Sequence, residues 1–252
     1  MKFFSDTWLL FQRHVIKTLR MPVWLFIGLM QPVLYLLLYM PLLKNIAGAP
    51  GLPEGEIVRM FVPGMLVIMA MGSLFAGFSF IDEIRVGIIA RWLVTPASRL
   101  GIILSLVLSQ ALTLFLQASI LLGIAWFFGL SVPFSGIALT MVLVLIIGMA
   151  MSALSYAISL SVQEESALAS ITNTFYLPIM LLSGIMLPIA IAPDWIKTAA
   201  KFNPFYYAVE GARALFSGSV ADMLVLKGFA VMTGLAVLMI GLAIRALRKM
   251  TA

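Results

Sequence analysis

The sequence predicts an all-α membrane protein: six transmembrane helices preceded by an interfacial helix, in one transmembrane domain covering residues 1–252. Three observations carry that reading. The chain is 63% apolar and only 10% charged, with a mean hydropathy of +1.12, whereas a soluble domain runs near half apolar and a quarter charged. A span takes roughly 20 apolar residues, so the apolar share leaves room for about six and for no large soluble domain. From Leu100 to Gln163 there is no Asp, Glu, Lys, Arg or His. One helix of that length would measure about 96 Å against a hydrocarbon core of about 30 Å, so the segment must fold back on itself.

Residues 1–20 form the interfacial helix. At helical spacing Phe4, Trp8, Phe11, Val15 and Leu19 gather on one side and Lys2, Asp6, Arg13, Lys17 and Arg20 on the other, which sets the helix in the membrane plane. It is not a secretory signal, because Arg13, Lys17 and Arg20 interrupt any apolar core and no small-residue cleavage site follows. His14 reads as a headgroup contact.

The spans are expected at about 23–43, 60–81, 100–127, 137–162, 167–187 and 224–244. Pro22 opens the first, and Pro32 and Pro41 lie inside or end it. Gly48, Pro50, Gly51, Pro53 and Gly55 then argue against continuous helix from Lys44 to Glu56. Gly64, Gly72 and Gly77 suggest close packing of the second span. Gly129 to Gly136, with Pro133, is the turn within the uncharged stretch. Glu164 and Glu165 mark the next water-exposed turn.

Six spans place both termini on one side. Ten Lys and Arg fall on that side (Lys2, Arg13, Lys17, Arg20, Arg85, Arg91, Arg99, Arg245, Arg248, Lys249) and six on the other (Lys44, Arg59, Lys197, Lys201, Arg213, Lys227). The acids divide equally, so the positive-inside rule puts the termini, residues 82–99 and the Glu164 turn in the cytoplasm.

Several chemistries are excluded. Cysteine is absent and His14 is the single histidine, which removes thiol chemistry, His-His metal sites and a Ser-His hydrolase. No metal site, catalytic residue or cofactor site is expected in the chain, nor is nucleic acid a partner. The span interiors carry no ionisable group, which disfavours a stand-alone gradient-driven carrier. Their polar residues, including Gln31, Gln110, Gln117 and Asn173, read first as interhelical hydrogen-bonding groups. There is no G-x-x-x-x-G-K-[ST] phosphate loop, so ATP would have to be handled by a partner.

A docking surface for such a partner must then lie in a loop. Between the second and third spans, Asp82 and Glu83 suit a helix N-terminus, Ile84, Ile88 and Trp92 recur at i, i+4 and i+8, and Pro96 ends the run. The pattern predicts a short helix over 83–93 with an apolar stripe, a pattern that headgroup contact would also explain. Here the chain resembles the membrane subunits of type-2 ABC transporters, in the positions Glu83, Gly87, Leu93, Thr95, Pro96, Ser98 and Arg99. Ile88 and Ile89 replace the family's usual Thr and Glu after the glycine, which is closer to the daunorubicin-type drug-exporter branch.

A second block strengthens the resemblance: Leu181 to Pro188, then Pro193-Asp194-Trp195-Ile196, then Asn203-Pro204-Phe205-Tyr206-Tyr207 running to Arg213. With Phe61-Val62-Pro63-Gly64 and the interfacial start, it extends over essentially the whole chain. Independently of the family, Pro193 suits a first helical turn and Asn203-Pro204 an N-cap followed by proline at N1, so two short helices form a hairpin over 194–217 on the outer side. Trp195, Phe202, Phe205, Tyr206 and Tyr207 suit headgroup depth. The resemblance implies that the hairpin is re-entrant and shapes an exit.

The resemblance further implies a partnership with two copies of an ABC ATPase subunit, which carries the ATP and Mg. It implies a second copy of this chain or a close paralogue, and a bacterial cytoplasmic (inner) membrane location among lipids. The residues coupling to the ATPase would be Asp82, Glu83, Ile84, Arg85, Gly87, Ile88, Arg91, Trp92, Thr95 and Pro96. Spans rich in Met, Phe and Leu favour a hydrophobic or amphipathic, drug-like or lipid-like substrate, with Gln31, Tyr35, Asn173, Tyr176 and Met180 as candidate pathway residues. Export of a lipid-linked polysaccharide or teichoic-acid-like chain is the alternative, and a gradient-driven carrier the second alternative.

Overall fold

The structure, a computed structural model, describes residues 2–20, 22–47, 54–93, 98–185, 189 and 192–250. Among them it is all helical. The helices are α1 (Lys2–Arg20), α2 (Pro22–Ala47), α3 (Glu54–Gly72), α4 (Ala76–Arg85), α5 (Ile88–Leu93), α6 (Arg99–Phe127), α7 (Phe134–Val162), α8 (Glu165–Leu182), α9 (Asp194–Ala200), α10 (Pro204–Phe216) and α11 (Met223–Lys249). A 3-10 turn, Ser73–Phe75, joins α3 to α4.

Among the described residues four helical stretches are long and apolar enough to cross a membrane: Arg59–Arg85, Arg99–Phe127, Phe134–Val162 and Met223–Lys249. The apolar stretch in α2 is shorter, Phe26–Leu38. The uncharged region folds back as expected. Gly129, at φ +89°, turns the chain after α6, and Pro133 caps α7. α7 starts earlier than the expected 137, and Gly136 lies inside it, where a Cβ would stand 2.3 Å from the Leu215 carbonyl oxygen. Gly136 therefore serves helix packing, not the turn. The breaker-rich stretch from Lys44 to Glu56 is narrower than expected. α2 runs past Pro41 to Ala47 and α3 begins at Glu54, since a membrane helix tolerates proline where neighbours satisfy the freed backbone groups.

α7 is the hub, packing most extensively on α11 and also on α3, α4, α6, α8 and α10. One core, around Val67, Met71, Leu121, Val144 and Phe216, fills the bundle from its middle toward the α6–α7 turn. A second, around Phe80, Ile89, Ile103, Tyr156 and Leu247, fills the end where α4 meets α5.

The 3-10 turn interrupts the helical hydrogen-bond ladder of the apolar stretch Arg59–Arg85. Two serines of α7 satisfy the groups around the interruption: Ser155 Oγ–H donates to the Leu74 carbonyl and accepts from Gly77 N–H at 2.8 Å, and Ser159 donates to the Gly77 carbonyl at 3.1 Å. Gly77 is required for this approach, since a Cβ there would stand 2.2 Å from Ser159 Oγ. Gly64 is also at a close approach, its Cβ position being 2.9 Å from the Ile185 carbonyl oxygen. Gly72 differs from the sequence expectation: open space surrounds its Cβ position.

Candidate functional site

The 83–93 segment is two pieces. α4 ends at Arg85, Val86 and Gly87 close its last turn through Val86 N–H to Asp82 and Gly87 N–H to Ile84, both at 3.0 Å, and α5 begins at Ile88. Gly87, at φ +75°, supplies the left-handed residue that ends a helix. This corrects two expectations. Asp82 and Glu83 sit in the last turn of α4, where the helix dipole opposes a carboxylate, and the stripe shifts phase. Past Gly87 the buried side chains are Ile89 and Trp92, Ile84 and Ile88 being only half-buried, while Val86, Ala90 and Arg91 face outward. Thr95 and Pro96 lie outside the described residues.

α1 supplies what the end of α4 lacks. Lys17 Nζ donates to Glu83 Oε1 at 2.5 Å, and Glu83 is buried while Lys17 remains half exposed. The His14 ring meets Trp92 edge-on with centroids 5.4 Å apart, and the Arg13 guanidinium lies 5.1 Å from the centre of the same indole. His14 is buried, not a headgroup contact. Burial pulls its pKa down to about 4; the Glu83 carboxylate opposes this, and Lys17 and Arg13 add to it. His14 Nε2 and Glu83 Oε2 are both buried without a hydrogen-bond partner. The lipid-type stripe of α1 points elsewhere, Trp8 and Leu19 being exposed. Arg85 pairs with Glu165 at 2.5 Å, tying α4 to the start of α8.

The α4–α5 turn is thus held on one side by α1 and on another by α8, with Val86, Ala90 and Arg91 exposed. Spacing alone puts His14 on the headgroups and does not link Lys17 to Glu83. The available signal for His14 was its position on α1, at the border between the apolar and charged faces.

The pathway candidates come together in part. Gln31 Nε2 lies 3.3 Å from Tyr35 Oη on α2. Tyr35, Tyr176 and Met180 pack at the rim of the first core, and Tyr176 also meets Phe75 at 5.6 Å between ring centroids. Asn173 is exposed, on the same face of α8 as Tyr176 and Met180 by spacing. Gln117 is buried against Gly28 of α2, whose Cβ position lies 2.4 Å from its amide nitrogen.

At the far end of the bundle the hairpin is α9 and α10. Asn203 Oδ1 accepts from Phe205 N–H at 3.0 Å, its Nδ2 donates to the Ile179 carbonyl at 2.7 Å, and Pro204 takes N1. Pro193 is the N-cap of α9, one position ahead of the first turn. Trp195 and Phe202 are exposed, and Tyr207 Oη–H donates to the Lys201 carbonyl at 3.0 Å, with Tyr206 ring to ring beside it. Phe205 is a correction: it belongs to the first core, not to the headgroup layer, because the N-cap turn points it inward. Arg213 Nη1 pairs with Glu210 at 2.8 Å, Nη2 donates to the Gly184 carbonyl at 2.8 Å, and Nε donates to the Met60 carbonyl at 3.4 Å. One guanidinium therefore ties α10, α3 and the chain after α8. Met186, Leu187 and Pro188 lie outside the described residues.

Among the described residues no three His, Asp or Glu side chains converge to hold a metal.

A family model described as ABC-2 type transporter matches residues 5–217. A protein described as transport permease ycf38 from Cyanophora paradoxa is 26% identical over 220 residues, spanning 86% of this chain and 76% of its own. Those of Porphyra purpurea and Pyropia yezoensis are 27% and 28% identical, spanning 83% and 82% of this chain and 73% and 72% of theirs.

Proposed function

Because the chain belongs to the ABC-2 type transporter membrane family, we propose that it is the membrane subunit of an ATP-driven exporter and takes its energy through the α4–α5 turn. A transmembrane subunit of an ABC transporter implies an ABC ATPase as partner, and two ATPase copies acting on two copies of this chain, or on this chain and a paralogue, is the arrangement we favour. α2 and α8 complete six spans, with both termini in the cytoplasm of a bacterial cell, as the excess of Lys and Arg at the α4–α5 end favours. Nucleotide-driven closure of the ATPases pushes on α5, and the bundle answers by shifting between two helix packings.

The observation that carries the reading is the attachment of α1 to this turn: Lys17 on Glu83, and Arg13 and His14 on Trp92. A headgroup-binding helix would need no such clamp. The cargo we favour is hydrophobic or amphipathic, drug-like or lipid-like, moved out of the cytoplasm or the inner leaflet past Gln31, Tyr35, Asn173, Tyr176 and Met180. The apolar spans support this, as does the drug-exporter character of Ile88 and Ile89.

Co-purification with the candidate ATPase tests the docking assignment. Arg91→Glu and Ala90→Glu change exposed positions without touching the cores, and both should lower ATPase binding while leaving the melting temperature of the isolated chain unchanged. Equal binding by wild type and both variants rules this turn out as the dock.

A further inference from the structure

At the end of the bundle opposite the α4–α5 turn, a cleft of about 750 Å³ opens between the start of the second span and the α6–α7 turn. Its walls are Leu122, Gly123, Trp126, Val132 and Phe134, and its one charge among the described residues is Arg59. The Arg59 Nη2 donates to Ser131 Oγ at 2.7 Å, whereas its Nε is buried without a partner. No carboxylate whose side chain is described pairs with it, the side chains of Glu54 and Glu56 lying outside the described ones. A buried, unanswered guanidinium donor is costly beside hydrocarbon, and an acceptor of opposite charge relieves it. The mouth is aromatic: Trp126 and Phe134 are 71% and 85% exposed, as suits side chains at headgroup depth. Gly123 leaves the floor open, with nothing within 4 Å of its Cβ position.

We propose that this cleft binds an anionic phospholipid, the phosphate on Arg59 and an acyl chain along Leu122, Gly123 and Val132. A guanidinium fork matches a phosphate diester, and the apolar walls match a chain that a free anion lacks. The site is separate from the ATPase dock and from the α2–α8 pathway candidates, so its failure leaves the exporter reading untouched.

The test is native mass spectrometry of the full-length chain in detergent, titrated with phosphatidylglycerol, with phosphatidylcholine of the same chains, and with inorganic phosphate as competitor. The wild type should retain phosphatidylglycerol about tenfold more tightly than phosphatidylcholine, a preference of the size one charge-assisted contact confers. Arg59→Gln should abolish the preference, Arg59→Lys should keep part of it, and Gly123→Phe, which fills the floor, should weaken both lipids. Equal retention of the two lipids by wild type, or an unchanged preference in a folded Arg59→Gln, overturns the proposal. Displacement of the lipid by millimolar phosphate also overturns it, since the site would then be one for free anions.

Discussion

Lys17 and Glu83 stand 66 positions apart in the chain and 2.5 Å apart in space. The pair joins the amphipathic first helix to the last turn of a membrane span, at a helix end where an unpaired carboxylate is disfavoured. Removing Lys17 strands a buried charge, so Lys17→Met should cost about 1–3 kcal/mol, toward the lower end because Lys17 is half exposed. Glu83→Gln should cost less, and the double variant should recover most of the loss. Thermal unfolding in detergent reads this; strictly additive losses would show that the two residues are not coupled.

His14 gives stability a pH dependence of known sign. Its folded pKa of about 4 lies below the ordinary value of 6.5, so between these values the unfolded chain binds the proton more readily. Stability contributed by neutral His14 is complete above about pH 6.5 and is lost as pH falls toward 4, by on the order of 2–3 kcal/mol. His14→Gln should flatten that part of the stability curve. If wild type and variant keep the same slope between pH 6.5 and 4, burial of His14 is not its source.

Gly77→Ala and Gly72→Ala are a matched pair in one span. The added methyl at 77 meets Ser155 and Ser159 at 2.5 and 2.2 Å and should cost about 1–3 kcal/mol. At 72 it meets nothing and should be neutral or stabilising by up to about 1 kcal/mol. Melting temperatures of the two variants in opposite order would contradict the packing described for α7.

Arg213→Gln should cost about 2–4 kcal/mol, because it removes the link among Glu210, Gly184 and Met60 and leaves their acceptors short of a donor. Arg213→Lys should rescue little, since an ammonium lacks the planar fork that spans these groups. Full thermal stability of Arg213→Lys would mean that charge alone, without the fork, holds the three segments.

Asn173→Leu and Tyr176→Ala should each lower substrate-stimulated ATP hydrolysis and export by the assembled transporter several-fold, with ATPase binding intact. Unchanged export in both variants would remove α8 from the pathway.

What was legible in the sequence was its punctuation. Gly129 and Pro133 locate the α6–α7 turn, Asn203-Pro204 the start of α10, and the two faces of α1 are plain from spacing alone. Such signals are local: a capping side chain or a left-handed glycine acts within a turn of its own position. Gly87 was seen as a motif residue, yet its left-handed conformation, which shifts the buried face to Ile89 and Trp92, was not anticipated from a stripe counted straight through it. Phe205 and His14 were misplaced for a different reason. An aromatic or imidazole near a span end has the same sequence appearance whether it meets headgroups or protein, and only the partner helix decides. The Ser155 and Ser159 contacts were invisible for the same cause, since serine on a membrane helix is ambiguous until its neighbour's backbone is broken.

That break at Ser73–Phe75 changes what the second span does mechanically. It is not one rod but two arms meeting at a joint, with the serines of α7 seated in the joint as its bearing. α4, the short arm, has 10 residues and measures about 15 Å, so a tilt of roughly 10° at the joint swings Arg85 by about 3 Å. The long arm is tied near Met60 by Arg213. A tilt of that size would change the spacing between α4 and α8, which the Arg85–Glu165 pair bridges.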